Sequence, residues 1–261
     1  MLLSSFKRLK EEKEPIKFLW SRALWHSGFC TFFDINRKQY KLKFFPTALS
    51  ASLYYDNTHG LEDELILKDL LKKGDVFVDI GANIGHLSLL ASSIVGASGK
   101  VFSFEPHPKT HEYLQKNIQL NKTTNIITFN CGLGETPGYV SFTNSRSDDQ
   151  NHILKEEGES LKIEVKTLDS VLNDLKINLL KVDTEGFEKF VFIGAKNVLK
   201  NTEKIYFETN EQNYYRYGYS VQDVLKLLSN YNFKFYNYLD YKWVPFNSKS
   251  PPPNNLLAKR N

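Results

Sequence analysis

Hydrophobic positions along this chain fall into two alternating patterns. DVFVDI, KVFSFE, NIITFN, INLLKVD and KIYFET are short, nearly continuous apolar runs of strand length. Between them lie NIGHLSLLASSIVG, PKTHEYLQKNIQLN and FEKFVFIGAKNVLKN, which carry the three-to-four spacing of helices; in the first, Ile84, Leu87, Ala91 and Ile94 share one face. SVLNDL reads as a short helix, and Ser220 with Asp223 forms a capping box ahead of SVQDVLKLLSNY. Such alternation predicts a doubly wound α/β fold, a mostly parallel sheet covered on both faces. FKFYNYL, YKWVPF and NLLAKR end the chain as strands with no helix between them, so the last strand is predicted to pair antiparallel. YVSFT and KIEVKT are predicted to pair as edge strands around a polar loop, residues 144–160.

The segment ahead of this alternation has a different character. Residues 1–28 read as one or two helices broken near Pro15, and CTFFDIN and QYKLKFF, flanking Arg37 and Lys38, as a β-hairpin. LEDELILKDLLKK follows as an amphipathic helix closed by Gly74. The predicted organisation is an N-terminal helical and β-hairpin extension, residues 1–59, and a Rossmann-like domain, residues 60–261.

Composition narrows the picture. With 261 residues, 41% of them hydrophobic, the chain can bury a sizeable core. No apolar run reaches the roughly 20 residues of a membrane-spanning helix, and the N-terminus turns charged too early for a secretory signal. Cys30 and Cys131 lie far apart, which argues against a disulfide framework or a cysteine zinc site and makes a reducing cytoplasm the default location. Residues 1–50 carry ten Lys/Arg against four Asp/Glu, leaving −2 of the overall +4 for the rest. A near-neutral remainder argues against a nucleic-acid partner. The basic N-terminus suits contact with a membrane surface or an acidic partner, though such segments are more often solvated helices.

The chemistry concentrates at the carboxyl ends of the strands, where open α/β sheets bind their ligands. Asp79, Gly81 and Asn83 follow the first strand, Glu105 the second, Asp183 and Glu185 the fourth, and Glu208 the fifth. In the turn Gly81-Ala82-Asn83-Ile84-Gly85, Asn83 replaces the second glycine of a dinucleotide fingerprint, and His86 follows Gly85 where a phosphate-binding loop would carry lysine. Asp79 would also repel a phosphate chain. A cofactor with a cationic centre and an ammonium group, such as S-adenosylmethionine, suits the turn better. Glu105 is placed to accept hydrogen bonds from both ribose hydroxyls, the alternative being a cap for the helix near Pro108.

DVFVDIGANIG, KVFSFEPHP, KTLDSVL and LLKVDTEGFEKFVFIGAKNVL, in this order and spacing, resemble the FkbM family of methyltransferases over roughly residues 60–215. That resemblance implies a class I, S-adenosylmethionine-dependent enzyme. It puts Asp79 and Gly81 near the methionine moiety, Glu105 on the ribose, and Asn130, Cys131 and Gly132 beside the adenine. His86 either borders the cofactor or faces solvent.

An alcohol acceptor needs a base or a metal to take its proton. Asp183 is the leading candidate, as base or orienter, with Glu185 beside it and His152, in the polar loop with Asp148, Asp149, Gln150 and Asn151, as an alternative. Asp183, Glu185 and Glu208 together offer oxygen ligands to Mg²⁺. The competing reading has Glu185 capping the next helix, Glu208 paired with Lys181 or a backbone amide, and His152 merely solvated. The expected reaction is O-methylation of a hydroxyl on a sugar or glycoconjugate precursor. Alternatives are a polyketide-type hydroxyl, a protein amino group (disfavoured by the absence of an NPPY or DPPY run) and a non-catalytic cofactor-binding subunit.

Overall fold

The computed structural model describes residues 14–144, 151–154 and 160–260. The part of the expected N-terminal helix before residue 14 and the loop residues Asp148, Asp149 and Gln150 lie outside the described residues. Helix α1 (Pro15–Ser27) starts with Pro15 and stops at Gly28, which is left-handed at φ 77°. A 3₁₀ turn, Phe29–Phe32, then precedes the hairpin of β1 (Asp34–Asn36) and β2 (Lys41–Lys43). The expected strand over CTFFDIN is therefore only three residues long, because the turn points Cys30 into the core. Two elements carry weak sequence signals and appear only in the structure. These are α2 (Ala48–Tyr55), capped by the Thr47 hydroxyl, and α9 (Glu211–Arg216), capped by Asn210.

Helix α3 (Leu61–Leu70) ends four residues before Gly74, because the Asp75 carboxylate accepts the Lys72 backbone N–H and turns the chain. Strand β3 (Val76–Ile80) is followed by α4 (His86–Val95), β4 (Lys100–Phe104), α5 (Pro108–Leu120) and β5 (Ile126–Phe129). Strands β6 (Gly132–Leu133), β7 (Gly138–Phe142) and β8 (Leu161–Lys166) form a small separate sheet in which β7 and β8 pair antiparallel, Val140 opposite Ile163. After α6 (Leu168–Leu172) and β9 (Ile177–Val182), the single helix expected over FEKFVFIGAKNVLKN is two, α7 (Glu188–Ile193) and α8 (Lys196–Lys200). Their break falls at Gly194, where a Cβ would stand 2.0 Å from the Gly134 carbonyl oxygen. Strand β10 (Thr202–Glu208), α9 and α10 (Val221–Ser229) lead to β11 (Lys234–Leu239), β12 (Lys242–Pro245) and β13 (Asn255–Lys259). The capping box of Ser220 and Asp223 opens α10 as expected.

The main sheet has the order β12-β11-β13-β10-β9-β3-β4-β5. Strands β5, β4, β3, β9 and β10 are parallel; β13 inserts antiparallel between β10 and β11, and β12 pairs antiparallel with β11 at the edge. Strand alternation sorts the core into two faces. Val78, Leu180, Ile205 and Phe207 meet α7, α8 and α10 on one side. Phe77, Leu179, Tyr206 and Leu257 meet α3 and α4 on the other. The extension shares this second core: Leu24, Ile35, Leu42 and Phe44 pack in the same cluster as Leu67 and Leu90. Residues 14–59 therefore cover one face of the sheet rather than standing apart from it.

Candidate active site

Register places one polar side chain from each of four neighbouring strands in a row. Ser103 of β4 pairs with Asp79 of β3, Asp79 with Lys181 of β9, and Lys181 with Tyr206 of β10. Residues paired across a sheet project from the same face, here the one covered by α3 and α4. The row is knit together: Ser88 of α4 donates to Asp79 Oδ2 at 2.6 Å and lies 2.8 Å from Ser103 Oγ. Lys181 Nζ stands 3.4 Å from Asp79 Oδ1 and 3.3 Å from Asp183 Oδ2. The Tyr206 hydroxyl donates to Asp63 Oδ1 of α3 at 2.9 Å. Burial alone would lower the Lys181 pKa, but the Asp183, Asp79 and Asp63 carboxylates outweigh it and hold the ammonium above the ordinary lysine value. Burial raises Asp63.

At the mouth of β3 the chain turns sharply. Gly81 is left-handed at φ 78°, and a Cβ there would lie 1.9 Å from the Asp183 carbonyl oxygen, so no other residue fits. Asn83 occupies the glycine position of a dinucleotide loop because it too is left-handed, at φ 51°. Its backbone N–H donates to Glu105 Oε2 at 2.9 Å, and its own Oδ1 accepts from the Ile84 N–H at 2.7 Å. The other Glu105 oxygen accepts from the His107 N–H at 2.9 Å. Glu105 thus braces the turn, while His107, not Glu105, caps α5 through its side chain.

His86 is buried rather than solvent-facing. Its Nδ1 is 2.6 Å from the Tyr40 hydroxyl, which lies 2.9 Å from Glu64 Oε1; Arg37 Nε donates to the same oxygen at 2.9 Å. Burial pushes the imidazole down to about 3, so the ring is neutral, and among the described residues Nε2 has no hydrogen-bond partner. Arg37 also donates to the carbonyls of Asn57 and His59, tying the hairpin to the start of α3.

One cleft joins these groups. Asp79, Gly81, Asn83, His86, Glu105, Cys131 and Gly132 line it together with Asp63, Lys181, Asp183, Glu185, Tyr206 and Phe187. Four anticipated residues, Gly85, Asn130, His152 and Glu208, do not line it. Gly85 is the N-cap of α4. Asn130 points outward and donates to the carbonyls of Glu105 and Pro106, bracing that loop from behind. His152 gives way to its neighbours Asn151 and Ile153, which line the cleft, as alternation along an extended segment dictates.

Asp183, Glu185 and Glu208 do converge, each offering a carboxylate oxygen within 4.8 Å of the others. Glu185 is left-handed at φ 55°, a strained conformation for a glutamate. Its Oε2 accepts from Asn213 Nδ2 at 2.9 Å. Glu185 does not cap the following helix; Glu188 takes that turn instead, accepting from the Thr184 N–H at 2.7 Å and its hydroxyl at 2.9 Å. Glu208 has no ion pair with Lys181 among the described residues; burial, reinforced by Asp183, Glu188 and Glu185, pushes its pKa up to about 9. Burial likewise lifts Glu188 to about 7.

Lys181, Asp63 and Tyr206 escaped the sequence reasoning as site residues. Only Lys181 carried a signal, a lone cation inside an apolar strand that must be neutralised by neighbours. Asp63 and Tyr206 resemble ordinary helix and strand positions until the register is known.

Residues 79–235 match the methyltransferase FkbM domain. The chain belongs to the FkbM methyltransferase family. It is 30% identical over 168 residues to the hexuronic acid methyltransferase AglP of Haloferax volcanii, a match covering 63% of this chain and 65% of that protein. It is 24% identical over 197 residues to the 2-O-methyltransferase NoeI of Sinorhizobium fredii, covering 67% and 79%. Among solved structures, an FkbM methyltransferase from Methylobacillus flagellatus superposes with a TM-score of 0.49 at 16% identity, over 80% of this chain and 54% of that one. Among the described residues no helix is long and apolar enough to cross a membrane.

Proposed function

We propose that this FkbM enzyme transfers the methyl group of S-adenosylmethionine to a hydroxyl of a sugar or glycoconjugate precursor. The observation that carries the reading is the meeting in one cleft of a phosphate-averse turn beside Glu105 and the carboxylates of Asp183 and Glu185. The hexuronic acid methyltransferase relative supports a sugar acceptor, and the 2-O-methyltransferase relative supports transfer to oxygen. In this reading residues 1–59 are an extension of the 60–261 domain, and its described part, residues 14–59, covers the cleft from one side through Leu49.

S-adenosylmethionine supplies an already activated methyl group. Asp79 sits where a cationic cofactor would meet it, and Glu105, whose backbone partners hold the turn, would meet the ribose hydroxyls. Cys131 and Gly132 leave a thin, apolar wall for the adenine. Lys181 fixes Asp183 by an ion pair, and Asp183, with Glu185, orients the acceptor hydroxyl and takes its proton. Such alignment contributes roughly 7–11 kcal/mol in related displacements.

The oxygen donors of Asp183, Glu185 and Glu208 also fit a divalent ion such as Mg²⁺. Bound there, the ion would make an acceptor hydroxyl more acidic. Incubation with methyl-labelled cofactor and a panel of uronic acids, neutral glycans, polyketide alcohols and proteins tests the reading. Label on a glycan hydroxyl supports it. Label on the polyketide or on protein amines replaces the acceptor assignment, and cofactor binding unaffected by Asp79→Ala removes the site assignment.

A further inference from the structure

Helix α1 turns an apolar stripe away from the protein. Ile16, Leu19, Trp20 and Ala23 are spaced to share one face, and Ile16 is 82% exposed, Leu19 and Trp20 54% each. The 3₁₀ turn that follows continues the surface with Phe29 at 60% and Phe32 at 77%. The opposite face of the same helix is committed to the fold: Phe18, Ser21 and Leu24 are buried, and the Phe18 ring meets Tyr55 of α2 edge-on, 5.2 Å between centroids. Helical spacing sets Lys17 on one flank of the exposed stripe and Arg22 and His26 on the other.

We propose that this face is a membrane-docking surface for an anionic phospholipid bilayer, with α1 lying in the plane of the headgroups. An exposed stripe containing tryptophan and phenylalanine, bordered by cations, has the composition of an interfacial helix. Charge selects the bilayer over a second copy of the chain. Two copies meeting through this stripe would bring like basic flanks together, whereas acidic headgroups complement them. The wider segment agrees, since residues 1–50 carry ten Lys/Arg against four Asp/Glu. The surface also connects to the cleft through one element: α2 packs on α1, and its Leu49 lines the cleft. Docking would hold the cleft close to the bilayer and to an acceptor carried on a lipid. The docking itself does not depend on the identity of the acceptor.

Sedimentation with phosphatidylcholine vesicles, alone or containing roughly 30% phosphatidylglycerol, tests this without cofactor or acceptor. The intact protein should partition at least about tenfold more strongly onto the anionic vesicles, and raised salt should weaken that preference. Trp20→Ser combined with Phe32→Ser should lose most of the binding, and Lys17→Glu only its charge-dependent part. Unchanged cofactor affinity in each variant shows that the fold is kept. Absence of vesicle binding by the intact protein overturns the proposal, as does equal binding by the double variant. A dimer in solution that the double variant abolishes would instead assign the face to a second copy.

Discussion

Asp79 and Lys181 are direct partners across the parallel β3–β9 pair, and their side chains meet at 3.4 Å beneath α3 and α4. The same Lys181 ammonium lies 3.3 Å from Asp183 Oδ2. A buried pair costs desolvation on both sides, and breaking it leaves a charge stranded. Lys181→Met should therefore destabilise the protein by about 3–5 kcal/mol, and urea denaturation measures this. A loss under about 1 kcal/mol would mean that Asp79 finds another partner.

Glu105 accepts one backbone N–H on each oxygen, from Asn83 and from His107. Glu105→Gln keeps an acceptor but loses the charge and one acceptor oxygen. Cofactor affinity should fall by about 1–3 kcal/mol. Calorimetry checks this, and an unchanged dissociation constant would separate Glu105 from the ribose.

Asp183→Asn should leave cofactor binding nearly intact while lowering turnover about a hundredfold or more, the range for loss of a general base. Full turnover in this variant would place the proton acceptor elsewhere. In the same series, Glu208→Gln should abolish any calorimetric signal for Mg²⁺ or Mn²⁺ that the unmodified protein shows.

His86 supplies a pH dependence with a definite sign. Its folded pKa is about 3, against roughly 6.5 in an unfolded chain. Between these values the unfolded chain binds a proton that the folded chain refuses. The contribution is complete above about pH 6.5 and is lost as pH falls toward about 3, at up to about 1.4 kcal/mol per unit. His86→Gln should show a smaller drop in stability between about pH 7 and about pH 4.5 than the unmodified protein. Identical drops would show that the imidazole is protonated within the fold.

Gly81→Ala should fail to accumulate as folded protein or unfold at a much lower temperature, because the Asp183 carbonyl oxygen occupies the place of the new Cβ. A thermal midpoint within a few degrees of the parent would mean that β3 and β9 can separate at their ends.

Much of this was legible along the chain. The apolar runs fixed β3, β4, β5, β9 and β10 because strands buried on both faces need little else to be recognised. Glu105, Asp79 and the Asp183–Glu185 pair stood out because carboxylates at buried strand ends demand a reason. Residues of ordinary local pattern were not legible. Thr47 and Asn210 cap two short helices, α2 and α9, whose apolar periodicity is too brief to register. The Gly194 break depends on the approach of Gly134, sixty residues earlier in the chain.

The sequence by itself determined which elements form and which of their ends carry chemistry, since periodicity, turn residues and isolated charges are local properties. Only the tertiary structure decided which of those groups meet. Register set Ser103, Asp79, Lys181 and Tyr206 in one row. Packing of the hairpin buried His86 under Tyr40 and Glu64. Alternation presented Asn151 and Ile153 to the cleft in place of His152. Each is a matter of how distant segments are placed relative to one another, which pairing and packing settle and local pattern does not encode.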